Sequence, residues 1–161
     1  MNRHTTVAFT GHRHYAGEAA TELALLVRSL YEEGYRTFLC GMAIGFDLAA
    51  GKAVVALREE YPEVRLVAVV PCVGQERAFS PIDRLRYAQL LEQADARIIL
   101  SPRYHKGCYH ERNAYLIDHA ACLVAWYDGT MGGTQQTFLL ALHRGLRIEN
   151  LGRIAPDPKL F

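Results

Sequence analysis

The sequence predicts one Rossmann-like α/β domain, a three-layer fold with a mainly parallel sheet. Three observations predict it. Short apolar, β-rich runs alternate with helical patterns along the chain; the turns that follow several of these runs are rich in glycine; and no repeat, low-complexity tract or linker divides the 161 residues.

The elements follow in order. Thr5 to Thr10 reads as a first strand closed by Gly11. Leu23, Leu26, Val27 and Leu30 recur at helical spacing, and Gly34 ends that helix. Arg36 to Cys40 is a second strand, and Phe46, Ala49, Ala50, Ala53, Val54 and Leu57 form the stripe of a second helix that stops before Pro62. Val64 to Val70 is nearly continuously apolar, as a strand buried on both faces should be. A helix carrying Tyr87, Leu90, Leu91 and Ala94 comes next, and Ala96 to Leu100 is a fourth strand ended by Ser101-Pro102. Tyr109, Leu116, Ile117 and Ala120 mark a fourth helix, and Cys122 to Tyr127 a fifth strand. Phe138, Ala141 and Leu142 line a last helix, Leu146 to Ile148 suggests a short edge strand, and the tail from Ala155 to Pro158 is irregular.

Composition narrows the function. Lys and Arg number 18 against 17 Asp and Glu, a net charge of +1, so no global basic field points to nucleic acid. A local cluster of Arg3, His4, His12, Arg13 and His14 is the exception. A membrane span needs roughly 20 consecutive apolar residues, and the apolar runs here are strand-sized. The N-terminus lacks a secretory pattern, so the expected location is cytoplasmic, without membrane association. Cys40, Cys72, Cys108 and Cys122 have no metal-ligand spacing and read as small core hydrophobes.

In parallel α/β sheets, ligands bind beyond the carboxyl ends of the strands. Three turns stand there. Thr10-Gly11-His12-Arg13-His14 follows the first strand and reads either as a phosphate or base contact or as a tight turn with basic residues in water. Gly41-Met42-Ala43-Ile44-Gly45-Phe46-Asp47 follows the second, at a helix start that favours anions. There Asp47 reads as a helix cap or as a partner for a ligand hydroxyl. Asp128 to Gln136 follows the fifth strand. Its Gly132-Gly133-Thr134 allows a nest of converging N–H groups with Thr134 at the helix N-terminus. None of these turns is a Walker loop, and the first lacks the glycine spacing of a dinucleotide fingerprint. Tyr104 and Tyr109 flank His105-Lys106-Gly107 and offer either a stacking surface for a base or core packing.

Thr10-Gly11-His12-Arg13, Gly41 to Asp47, Arg112-Asn113 and Gly132-Gly133-Thr134 together resemble the YpsA-like proteins of bacteria. These belong to the SLOG superfamily, with the LOG phosphoribohydrolases and the DprA proteins. The resemblance implies a Rossmann-like fold, a nucleotide-derived ligand and a homo-oligomer, dimer or larger. LOG enzymes pair Arg-Lys on a helix with a downstream Pro-Gly-Gly-x-Gly-Thr-x-x-Glu turn. Here Glu111-Arg112-Asn113 is similar to the first element, with Asn113 in place of lysine, and Met131 to Thr134 to a shortened second. Thr137 stands where the glutamate is expected, which favours binding over hydrolysis, since glycosidic cleavage wants a carboxylate. Asp47, Glu111, Asp118 and Asp128 are the local substitutes, and Glu111 and Asp118, seven residues apart, are placed to share a helix face. Pro71 to Glu76 resembles the family's Pro-x-x-x-Gln element, and Gln75 reads either as a ligand contact or as part of a surface loop.

The expected ligand-binding set is therefore Thr10, Gly11, His12, Arg13, Gly41, Met42, Ala43, Gly45, Asp47, Gln75, Arg112, Asn113, Gly132, Gly133 and Thr134, with Arg112, Asp47 and Glu111 as candidate catalytic residues. The expected partner is a small nucleotide-derived ligand such as ADP-ribose, NAD or a nucleoside phosphate, with no required cofactor and no metal. N-glycosidic hydrolysis of a nucleotide is the alternative activity. Single-stranded DNA binding is a third, which the near-neutral charge disfavours.

Overall fold

The structure, a computed structural model, describes residues 1–156. Asp157 and Pro158, part of the expected irregular tail, lie outside the described residues. The elements are β1 (Thr6–Gly11), α1 (Ala20–Glu32), β2 (Thr37–Cys40), α2 (Phe46–Glu60), β3 (Arg65–Val70), α3 (Pro81–Gln93), β4 (Ala96–Ile99), α4 (Cys108–Asp118), β5 (Cys122–Trp126), α5 (Gly133–His143) and β6 (Arg147–Asn150). The six strands form one sheet in the order β4-β3-β2-β1-β5-β6, and every neighbouring pair is parallel.

The period-2 rule sorts the side chains into two cores. Val7 and Phe9 of β1 point to the face covered by α1, α2 and α3, whereas Ala8 between them points to α4 and α5. On the first face Phe9 stacks on Phe38 at 6.0 Å and meets Phe46 edge-on at 6.4 Å. Leu116, Ile117 and Ala141 cover the second face over Leu39, Val69 and Leu123. Central strands buried on both faces are mostly apolar, which is why their runs read so plainly in the sequence.

Boundaries move where local hydrogen bonds compete. Thr5 belongs to a 3₁₀ turn, Arg3–Thr5, capped by Asn2, whose Oδ1 accepts the His4 N–H at 3.0 Å, so β1 begins at Thr6. Helix α4 ends at Asp118, and Ala120 packs from the connection instead. The last strand runs past Ile148 to Asn150 because Glu149 and Asn150 stay in register with Val124 and Ala125.

This order contains one reversal. From β1 the chain steps outward through β2, β3 and β4, then returns to place β5 on the other side of β1. Turns leaving β1 and β5 therefore diverge at their carboxyl ends and open a crevice between them, the usual ligand position in open α/β sheets.

Candidate nucleotide site at the β1/β5 crevice

A cavity of about 410 Å³ occupies that crevice. Thr10, Gly11, His12, Arg13 and His14 line it from the β1 turn, Ala43 and Asp47 from the β2 turn, Tyr109, Arg112 and Asn113 from α4, and Thr130, Met131, Gly133 and Thr134 from the β5 turn. Gly41, Met42, Gly45, Gln75, Gly132 and Glu111 are not part of its wall. The structure thus brings together the β1 turn, the Arg112-Asn113 pair and the Gly133-Thr134 step, and puts the other expected residues behind or beside them.

Those behind the wall hold it in place. Gly45 has φ +80, and a Cβ there would lie 2.6 Å from the His12 carbonyl oxygen and 2.5 Å from that of Arg13, so the β1 turn rests directly on this glycine. A Cβ on Gly41 would lie 2.9 Å from both Arg112 Nη1 and Asp47 Oδ2; its hydrogen makes room for two charged groups. Met42 is buried with φ +63, a conformation that non-glycine residues rarely hold without support. Gln75 is part of that support, donating from Nε2 to the Met42 carbonyl at 3.1 Å.

The helix starts differ in their caps. Far from the cavity, α3 begins with Ser80 and Pro81, and the serine hydroxyl accepts the Asp83 N–H at 3.3 Å. At the cavity, α2, α4 and α5 begin at Gly45, Gly107 and Gly132, none with a side-chain cap. Thr134 sits inside the first turn of α5 rather than at its cap, because Gly132 takes the cap position with φ +143. Nothing lies within 4 Å of where a Gly132 Cβ would be. Gly133 and Thr134 of this uncapped first turn line the cavity, where free N–H groups suit an anion.

Arg112 is the buried cation of the site. It is 5% exposed, donates from Nη1 to the Gly41 carbonyl and from Nε to Asn113 Oδ1 at 2.8 Å, and burial pulls its pKa down. Asp47 is 5% exposed and accepts the Ala43 N–H at 3.3 Å. Burial pushes its carboxyl up to about 6, against the pull of Arg112 and the Ala43 bond. A buried carboxyl that exchanges a proton near neutrality is suited to acid–base work.

The other acidic candidates are placed differently. Glu111 is exposed and lies 3.6 Å from His105 Nε2, and exposed Asp118 pairs with Arg144. Thr137, at the expected glutamate position, is buried and donates its hydroxyl to the Gly133 carbonyl at 2.8 Å. Asp128 contacts His12 Nε2 at 2.9 Å and His14 Nε2 at 3.4 Å. Sequence patterns did not show this cluster, because it depends on the neighbour that β5 takes in the sheet. Parallel pairing of Gly11 with Trp126 necessarily sets residues 12 to 14 beside 127 and 128.

Asp47 carries a stability prediction. Its folded pKa, about 6, lies above the ordinary 3.8, so the folded state binds more protons between those values and stability falls as pH rises through them. The cost is absent below about pH 4 and complete above about pH 6, where it reaches on the order of 3 kcal/mol. Asp47→Asn should therefore melt higher than wild type at pH 8 and at nearly the same temperature at pH 4. Equal melting temperatures at pH 8 would show that the carboxylate bears no such cost.

Comparison with known proteins agrees with this architecture. A UPF0398 protein of Bacillus velezensis is 30% identical over 115 residues, covering 70% of this chain and 63% of that protein, so the chain spans less than two thirds of that relative. The SPbeta prophage-derived protein YoqJ of Bacillus subtilis is 27% identical over 147 residues, 84% of this chain and 85% of that one. Among solved structures, DNA processing protein A of Helicobacter pylori superposes with a TM-score of 0.66 at 16% identity, covering 94% of this chain and 67% of that one; this likeness is one of fold. Among the described residues, no helix is long and apolar enough to cross a membrane. The sequence model of the YspA SLOG family matches residues 19–147, and the chain belongs to that family.

Proposed function

We propose that the β1/β5 cavity binds a nucleotide-derived ligand of the ADP-ribose, NAD or nucleoside phosphate class. The observation that carries this reading is the convergence of buried Arg112, Arg13 and the uncapped start of α5 on one cavity. Two arginines and a helix N-terminus favour a phosphate. Tyr109 supplies an aromatic face for a base, and Thr10, Asn113 and Thr134 supply polar groups for ribose hydroxyls. The volume lies within the range of small-molecule sites.

Titration calorimetry and thermal melts with ADP-ribose, NAD and AMP test the reading. At least one should bind, and a ligand at a hundred times its Kd should stabilise the fold by about 2.7 kcal/mol. No heat and no thermal shift with any of the three would remove the proposal. DNA processing protein A of Helicobacter pylori has a single-stranded DNA binding mode of its own. An oligonucleotide bound here with steep salt dependence, in the absence of nucleotide binding, would transfer the cavity to that class of ligand.

A second reading, cleavage of the ligand's N-glycosidic bond, is favoured by Asp47. A buried carboxyl in the cavity wall, titrating near pH 6, can deliver a proton to a leaving base.

A further inference from the structure

We infer that Tyr104, on the loop before α4, extends the base-stacking surface of the cavity and makes the site prefer purine nucleotides. The inference rests on the ligand reading above and narrows it to one class of base.

Tyr104 stands out by its exposure. Among the described residues it is the one exposed aromatic side chain, at 66%. Core packing, one of the two purposes its place in the sequence suggested, therefore does not explain it. Its neighbours Arg103, His105 and Lys106 are exposed as well, and the loop ends at Gly107, with φ +91 and nothing within 4 Å of where a Cβ would be. The charges keep this loop in water, and most of Tyr104 stays uncovered by the rest of the chain. Its one aromatic contact among the described residues is Tyr109, with ring centroids 6.1 Å apart and planes tilted by 53°.

That contact leads into the cavity. Tyr104 is not part of the wall, but Tyr109 is. The Arg112 guanidinium lies over one face of the Tyr109 ring, 5.7 Å from its centre, so a base stacks on the other face. Tyr109 and Arg112 are three apart on α4, and side chains at that spacing are neighbours on the helix surface. A phosphate on Arg112 and a base on Tyr109 are therefore one helical turn apart, within the reach of a single nucleotide.

The size of the base decides what it touches. A pyrimidine has one ring and covers Tyr109 alone. A purine has two fused rings. With one of them on Tyr109, the other projects toward Tyr104, whose tilted ring meets it in the edge-to-face manner that aromatic pairs favour. Binding also takes part of the exposed Tyr104 ring out of water, which adds to the gain. Stacking reads the area of the base and not its edge, so adenine and guanine benefit alike.

The test uses the full chain and calorimetric titration with AMP, GMP, CMP and UMP. Wild type should bind AMP and GMP at least about fivefold more tightly than CMP and UMP. Tyr104→Ala should weaken AMP binding about tenfold, within the range of base–aromatic stacking, and change CMP binding by less than about twofold. Tyr104→Phe, which keeps the ring, should bind AMP like wild type. Tyr104 is exposed, so both variants should melt with wild type, and any loss then lies in the site. Equal binding of purine and pyrimidine nucleotides by wild type, or unchanged AMP affinity in Tyr104→Ala, overturns the inference and leaves the cavity reading standing. An equal loss of AMP and CMP in Tyr104→Ala also overturns it, since the ring would then serve the loop and not the base. A Tyr104→Phe variant as weak as Tyr104→Ala has the same consequence. No binding of any of the four removes the inference, and if ADP-ribose and NAD also fail to bind, the cavity reading goes with it.

Discussion

Replacing Gly45 with alanine is expected to lower the melting temperature by roughly 10 °C and to abolish ADP-ribose binding. Two costs add. At φ +80 and ψ −120 an alanine occupies a region almost reserved for glycine, at about 1–3 kcal/mol. Its methyl would also lie 2.5 Å from the Arg13 carbonyl oxygen and 2.6 Å from that of His12. Both are backbone atoms, so no rotamer change relieves the clash, and overpacking adds a further 1–3 kcal/mol or so. At roughly 2–4 °C per kcal/mol for a domain of this size the sum gives the expected shift. Binding fails for a geometric reason. Pushing the β1 turn off the β2 turn displaces His12 and Arg13 from the wall they share with Asp47. Thermal melts and calorimetry on one preparation check both parts. A variant that melts like wild type would mean that the two turns are not in this contact.

Arg112→Ala should weaken ADP-ribose binding at least 100-fold, about 2.7 kcal/mol, at a smaller cost in melting temperature than Gly45→Ala. Arg112 is the buried cation in the wall, and a charged hydrogen bond to phosphate is worth about 1.5–3 kcal/mol. The stability loss comes from the Gly41 carbonyl, which would lose its donor, and from the space left behind. Lysine should not rescue binding. Arg112 uses Nη1 and Nε at once, on Gly41 and Asn113, and an ammonium cannot reproduce that fork. A second consequence identifies the cause: Arg112 helps hold the Asp47 carboxyl down, so its removal should raise that pKa further, readable by NMR titration. ADP-ribose binding of wild-type strength in Arg112→Ala would rule out an anion at this place.

The fold was legible because its signals are local. Val64 to Val70 reads as a strand from composition alone, and the parallel sheet follows from the alternation of such runs with helical stripes. The glycine turns were legible for a related reason, since only glycine tolerates what they do. Their purposes were less so. Gly41 and Gly45 suggested close approach to a ligand, whereas the structure uses both for close approach within the chain. Asp47 was legible as a candidate, but not its raised pKa, which depends on burial and on the Arg112 charge from α4, 65 positions later. The pairing of His12 with Asp128 was hidden more deeply. It depends on β5 docking beside β1 across the whole chain, and no periodicity records which strand becomes whose neighbour. Glu111 and Asp118 were placed by helical spacing on one face, and each has a different exposed partner, His105 and Arg144.

The return of the chain to its beginning also bears on how the protein folds. Strands β1 to β4 zip up between sequence neighbours, but the pairing of Val7 with Cys122 closes a loop of 115 positions (122 minus 7), the costly kind of contact that slows folding. Both walls of the crevice depend on that one closure. A nascent chain that has made four strands and three helices thus has a partial core and no binding site. Ligand recognition is acquired in the last docking event, so a nucleotide in the cavity would stabilise the finished domain without templating any earlier stage.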